Sequence, residues 1–156
     1  GAEAWLVATE LAAAKAAVVL DPLVNLPASF DALGARLDNA ARLQRAGVVV
    51  VFSMTGLAPH FAHKVRQSAG NAVAHGMPWD AALAGLTANP AAVFGLGASR
   101  GRIETGMVAD LVLWNGDPLE VTSAADQVWV GGKPMSMRSR QTELLDRYLP
   151  QAARQP

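Results

Sequence analysis

Two histidines near the middle of the chain have the spacing of a metal-binding or substrate-binding pair. His60 and His63 are three residues apart, so they lie on one face if this segment is helical. Such a pair of imidazoles can bind zinc or copper, and it can also contact a polar substrate. No third ligand is evident beside them, and the other interpretation is the solvated first turn of a helix. We predict that His60 and His63 contact substrate and that the two make no metal site.

The other polar residues that could do chemistry fit structural roles better. His75 stands before Gly76 at the predicted end of a helix, where a cationic imidazole would complement the helix dipole. Asp110 begins a predicted strand in a turn-rich region, so we expect its carboxylate to accept backbone N–H groups. The pair Asp117-Pro118 indicates a turn. These residues are therefore not predicted to be catalytic.

Composition excludes several classes of function. Thirteen basic and thirteen acidic residues cancel, without a basic cluster, so neither nucleic acid nor an anionic membrane is an expected partner. The chain has no cysteine, which excludes a disulfide framework, a thiolate nucleophile and Cys-bound zinc. No basic segment precedes an apolar run at the start, and no apolar stretch reaches 18 residues. We expect a cytoplasmic protein that binds a small molecule.

The elements that must position these residues follow the order αβαβαα over the first 95 residues. Uncharged, valine-rich runs at 16–20 and 48–52 predict buried strands of a parallel sheet. Helices are predicted from apolar spacing, proline starts and glycine stops. They span residues 3–15, the segment from Ser29 to Ala46, residues 60–74, residues 80–86, and a last helix that is capped by Asn89, has Pro90 in its first turn and ends at Gly95.

The composition changes near Leu96, where glycines occur at 95, 97, 101 and 106. Beyond this point, short strands are predicted at 110–114 and 127–130, and Gly131-Gly132 suits a two-residue hairpin loop. A terminal helix is predicted over 143–148. We therefore divide the chain into residues 1–95, a small β region at 96–137, and a C-terminal helix and tail at 138–156.

A series of short motifs follows in a fixed order from residue 69 to residue 119. The series is Ala69-Gly70-Asn71-Ala72-Val73-Ala74, Ala82-Leu83, Thr87-x-Asn89-Pro90-Ala91, Gly101 and Gly106 before Ala109-Asp110-Leu111, and Gly116-Asp117-Pro118-Leu119. In this order and spacing it resembles the C-terminal signature of the metal-dependent amidohydrolases, nearest to their imidazolonepropionase-like branch. The resemblance covers most of the chain, from about residue 1 to residue 148.

The resemblance implies an α/β fold that is a partial (β/α)8 TIM barrel followed by short strands of the amidohydrolase β-sandwich. Residues 16–20 and 48–52 would be the seventh and eighth barrel strands. A complete barrel needs about 250 residues, so 156 residues are expected to hold only its last strands and helices. The family's His-x-His pair, bridging lysine and later metal histidines would precede residue 1. A divalent metal, zinc, is thus implied for a complete family enzyme and not expected for this chain alone.

The resemblance also implies an acidic position at the end of strand 8, where an aspartate binds metal and accepts a proton from the attacking water. The family commonly has Ser/Gly-Thr-Asp there, whereas this chain has Ser53-Met54-Thr55-Gly56. Neither Met54 nor Thr55 replaces a carboxylate in this role. His60 follows the loop at the C-terminal end of this strand, where barrel enzymes carry their active sites, so it is the best catalytic candidate.

Two functions follow from these observations. The first is the C-terminal portion of a hydrolase that acts on a non-peptide C–N bond, such as a cyclic amide or amidine, by metal-activated water, and that is incomplete on its own. The alternative is a catalytically inactive remnant with a structural or binding role, favoured by the absent histidine pair and aspartate. Open strand edges tend to pair, so we expect a homo-oligomer or a missing N-terminal half.

Overall fold

The computed structural model describes residues 1–24, 26–54 and 59–149, with residues 59–61 described by their backbone only. These residues form a mixed α/β fold, which confirms the predicted class. In chain order the elements are a 3₁₀ turn Ala4–Val7, α1 (Ala8–Ala13), β1 (Ala17–Leu20), a 3₁₀ turn Phe30–Ala32, α2 (Asn39–Arg45), β2 (Val49–Phe52), a 3₁₀ helix Pro59–Lys64, α3 (Val65–Ala74), α4 (Trp79–Leu86), α5 (Ala88–Val93), β3 (Leu111–Trp114), β4 (Ala125–Val130), β5 (Lys133–Pro134) and α6 (Arg140–Tyr148).

The two valine-rich strands pair in parallel, as predicted, with Leu20 opposite Phe52. Val18 and Leu20 belong to the core that the helices form with β2. Val19, between them, is 45% exposed. The predicted burial of this strand is therefore correct for one face only, because the described helices cover the face of Val18 and Leu20. In β2, Val50, Val51 and Phe52 are buried and only Val49 is exposed.

The helix predicted from Ser29 to Ala46 is shorter than expected, because α2 begins only at Asn39. In the residues that precede Asn39, contacts with the N-terminal segment replace helical hydrogen bonds. The Gly34 N–H donates to the Glu3 carboxylate, and the Gly34 carbonyl accepts from Trp5 Nε1 at 2.7 Å. These tertiary bonds hold the segment outside a helix. The predicted glycine stop is confirmed by Gly47, whose φ of 86° places it in the left-handed region.

The predicted cap of α5 is also corrected. Thr87 is the N-cap residue, and Asn89 lies inside the first turn of the helix. The Asn89 side chain instead donates from Nδ2 to the Val50 carbonyl at 2.9 Å. The partner of this amide is thus a strand, and the bond ties α5 to β2.

The C-terminal sheet has the antiparallel order β3-β4-β5, and Gly131-Gly132 forms the predicted hairpin loop with positive φ at both residues. The Gly131 N–H donates to Asp110 Oδ1 at 2.8 Å, which confirms the structural role expected for Asp110. In α6, Ser139 and Thr142 form a capping box.

Within the described ranges, every helix is too short or too polar to cross a membrane. The division into residues 1–95, 96–137 and 138–156 stays a prediction, and the tail beyond residue 149 lies outside the described residues.

Candidate functional site

The carboxyl ends of β1 and β2 form one edge, and such an edge is where parallel α/β folds place their active sites. The Ser53 N–H donates to the Leu20 carbonyl at 3.0 Å, so the parallel pairing continues past Phe52. Leu20 lies opposite Phe52, and the same register carried one residue further sets Asp21 opposite Ser53. Both residues are partly buried. A carboxylate and a hydroxyl are therefore neighbours at this edge.

The chain turns immediately after β1 and fixes the Asp21 carboxylate. Asp21 Oδ1 accepts the Leu23 N–H at 3.0 Å, and the Asp21 carbonyl accepts the Val24 N–H at 3.1 Å. Aspartate followed by proline is the preferred start of such a turn. Asp21 also lines a small cavity together with Val19 and Asn39. The valine-rich run at 16–20 ends just before Asp21, and only the pairing register of β1 with β2 brings Asp21 opposite Ser53.

The predicted histidine pair lies on the 3₁₀ helix Pro59–Lys64 that follows β2. The side chain of His60 lies outside the described residues, and His63 is exposed. Thr55 also lies outside them, while Met54 is partly buried at the strand end. Substrate contact by His60 and His63 therefore stays a prediction.

The described side chains do not fit a resident metal ion. Among the side chains of residues 1–24, 26–54 and 62–149, no three His, Asp or Glu groups come together in an arrangement that could hold one. At the end of β2, Ser53 and Met54 offer a hydroxyl and a thioether, which are poor substitutes for the carboxylate and imidazole ligands of zinc.

A second carboxylate, Asp38, precedes α2 and is held by two arginines. Its oxygens accept from Arg36 Nε at 2.7 Å and from Arg42 Nε at 2.8 Å. The Arg36 hydrogen bond is the main reason that the pKa of Asp38 lies well below its ordinary value, and Arg42 contributes. Both guanidinium groups also lie about 5 Å from the centre of the Trp5 ring. A carboxylate held in its charged form is a poor proton acceptor, so this cluster is structural.

One arginine joins helix α3 to the turn between β3 and β4. The Arg66 guanidinium donates to the Ser123 carbonyl at 2.8 Å and to the Pro118 carbonyl at 3.1 Å, with a further bond to the Glu120 carbonyl. It also lies 5.0 Å from the centre of the Trp114 ring. Nothing local in the sequence distinguishes Arg66 from a surface arginine, so these contacts were not predicted.

Two of the sequence motifs meet at a close backbone contact. A Cβ on Gly70 would lie 2.3 Å from the Leu119 carbonyl oxygen, so only glycine lets α3 approach this turn. Asp117 Oδ1 accepts the Leu119 N–H at 2.8 Å, and the Asp117 carboxylate also accepts from Trp79 Nε1. The predicted turn is confirmed, and these motif residues determine packing.

The geometry agrees with the comparisons to known proteins. The model of the amidohydrolase family matches residues 46–135, which are more than half of the chain. The chain belongs to the amidohydrolase family. This confirms the resemblance inferred from the motifs between residues 69 and 119, all of which lie inside the matched range.

Individual relatives in this family match parts of their own length. Amidohydrolase tasK of Hapsidospora irregularis is 47% identical over 58 residues, which are 37% of this chain and 6% of that protein. The crystal structure of an amidohydrolase from Thermotoga maritima matches with a TM-score of 0.78 and 29% identity, over 88% of this chain and 36% of that one. An adenosine deaminase from Xanthomonas campestris with bound zinc shares the fold, with a TM-score of 0.57 and 23% identity, over 89% of this chain and 38% of its own. This chain thus spans little more than a third of the solved relatives.

Proposed function

We propose that this chain is the C-terminal portion of a metal-dependent hydrolase that acts on a non-peptide C–N bond, such as that of a cyclic amide or amidine. The observation that carries the proposal is the family match, which extends from just before β2 through the C-terminal sheet. The described residues do not fit the metal, so we assign its ligands to a part of the enzyme outside these 156 residues.

The exposed apolar surface of the parallel strands supports the assignment of β1 and β2 to the end of a (β/α)8 barrel. The helices bury one face of the pair; on the other side Val19 and Val49 are 45% and 43% exposed, whereas Val51 is buried. Branched apolar residues fill the interior of such barrels. We therefore interpret this side as barrel interior, to be covered by further strands, and β3 to β5 as short strands of the adjoining β-sandwich.

The alternative is an inactive remnant that associates with itself. It is favoured by the lack of an aspartate in Ser53-Met54-Thr55-Gly56, where the resemblance implies a catalytic one, and by the open edges of the described two-stranded sheet. A small-molecule substrate, a homo-oligomer or missing N-terminal half, and a cytoplasmic location remain predictions. So does the expectation that neither nucleic acid nor a membrane is a partner.

The test compares the 156-residue chain with the native gene product isolated from its source. Each is exposed to zinc, dialysed, analysed for metal and assayed against cyclic amides and amidines. We expect the native product to be longer than this chain, to retain near-stoichiometric metal and to hydrolyse at least one of these compounds. A native product of only these residues that retains no metal and hydrolyses none of them would overturn the proposal in favour of the inactive alternative.

A further inference from the structure

The turn after β3 begins with an asparagine whose side chain takes the place of a backbone group. Asn115 follows Trp114, the last residue of β3, and precedes Gly116. Its N–H donates to the Ala124 carbonyl at 3.1 Å, and the Ala124 N–H donates to Asn115 Oδ1 at 2.9 Å. The side-chain carbonyl thus replaces a main-chain carbonyl, and the two bonds close the turn that leads to β4.

This arrangement favours attack on Asn115 by the residue that follows it. The main-chain nitrogen after an asparagine can attack the side-chain Cγ, because the succinimide ring that forms is small and unstrained. Gly116 has no side chain to crowd this approach. Among the described residues, no group accepts the Gly116 N–H, and Asn115 is exposed to water and base. The Ala124 N–H, bound to Oδ1, stabilises the negative charge that develops on this oxygen during the attack.

We propose that Asn115 is a site of spontaneous deamidation in the folded chain. The Gly116 nitrogen loses its proton to base and bonds to Asn115 Cγ, while the bond from Cγ to Nδ2 breaks and that nitrogen takes up a proton and leaves as ammonia. Water then opens the succinimide. Cleavage at Cγ gives aspartate, and cleavage at the main-chain carbonyl gives isoaspartate, in which the backbone runs through Cβ and Cγ. Water is the only co-reactant, and nothing is oxidised or reduced.

The isoaspartate product changes the path of the backbone where the chain carries tertiary contacts. It adds a methylene group between β3 and the turn, so the two bonds with Ala124 cannot both keep their geometry. The turn beyond it accepts hydrogen bonds from Arg66 at Pro118 and Ser123. Isoaspartate therefore destabilises this turn, whereas aspartate keeps an oxygen for the Ala124 N–H. This modification is independent of the proposed function.

The test follows single asparagines by mass spectrometry after the folded chain is incubated in mildly alkaline buffer. Trypsin releases Asn115 as the only asparagine of residues 103–138, and Asn39 as the only asparagine of residues 37–42. Asn39 is the internal control, because it is buried and its side-chain oxygen and nitrogen both bind main-chain groups of the N-terminal segment. We expect Asn115 to convert to aspartate and isoaspartate at least about tenfold faster than Asn39, whose hydrogen bonds must break first. The rate should rise with pH, because base removes the Gly116 proton.

Gly116→Ala tests the attack itself. The φ of Gly116 is not positive, so alanine suits this backbone, and the added Cβ would lie 2.8 Å from Ser123 Oγ, at the end of a side chain. Its urea midpoint shows that the variant folds, and it should convert at least about fivefold more slowly, because a Cβ restricts residue 116. Equal rates in the two chains, or conversion of Asn115 no faster than that of Asn39, would overturn the proposal. The isoaspartate form, separated by chromatography, should unfold at a lower urea concentration than Asn115→Asp, and equal midpoints would refute the effect on the turn.

Discussion

Replacing Arg66 by alanine should detach the turn between β3 and β4 from helix α3. The change removes the hydrogen bonds to the Ser123 and Pro118 carbonyls and the contact with the Trp114 ring. A hydrogen bond to a charged group contributes about 1.5 to 3 kcal/mol, and a cation–π contact about 0.5 to 1 kcal/mol at an exposed site. Because water can reach part of this site and hydrate the freed carbonyls, we expect a net loss of about 2 to 4 kcal/mol in the free energy of unfolding.

The measurement is urea unfolding followed by far-UV circular dichroism and tryptophan fluorescence. Arg66→Lys should recover less than half of the loss, because an ammonium group lacks the planar fork that reaches several carbonyls at once. Arg102→Ala is the control: it breaks an exposed ion pair with Glu104 and should cost less than about 0.5 kcal/mol. If Arg66→Ala unfolds at the same urea concentration as Arg102→Ala, the reasoning about this contact is refuted.

Three further predictions concern packing and charge. Gly70→Ala would place a methyl group 2.3 Å from the Leu119 carbonyl oxygen, so urea unfolding should show a loss of about 1 to 3 kcal/mol; an unchanged midpoint would contradict the close approach. Ser68→Ala should leave thermal stability unchanged or raise it by about 1 kcal/mol, because the buried Ser68 hydroxyl lacks a hydrogen-bond partner among the described residues; a clear loss would mean that it has one. The Arg36 hydrogen bond lowers the pKa of Asp38 in the folded state. The ionised Asp38 therefore contributes to the free energy of unfolding above the ordinary aspartate pKa of about 4, and this contribution is lost as the pH falls below that value. Asp38→Asn should therefore reduce the change in the free energy of unfolding, measured with urea, between about pH 5 and pH 2. The reduction should be less than about 1 kcal/mol because the site is open to water, and an unchanged pH dependence would exclude this role.

Local sequence patterns determined the elements whose causes are themselves local. Valine-rich runs specified β1 and β2, because branched residues suit extended backbone, and Gly47 and Gly131-Gly132 marked where the chain adopts positive φ. The ordered motifs between residues 69 and 119 were sufficient to identify the amidohydrolase family. None of these inferences requires knowledge of which distant segments are neighbours.

Tertiary structure decided the features that depend on such neighbours. Bonds from Gly34 to the N-terminal segment stop the helix that apolar spacing predicts before Asn39. Asn89 has the residue type of a cap, yet its amide reaches the Val50 carbonyl because α5 packs against β2. The neighbourhood of Asp21 and Ser53 likewise comes from the strand register. A polar side chain takes the partner that folding brings within hydrogen-bond distance, and that partner is 39 residues away for Asn89, so no local pattern could identify it.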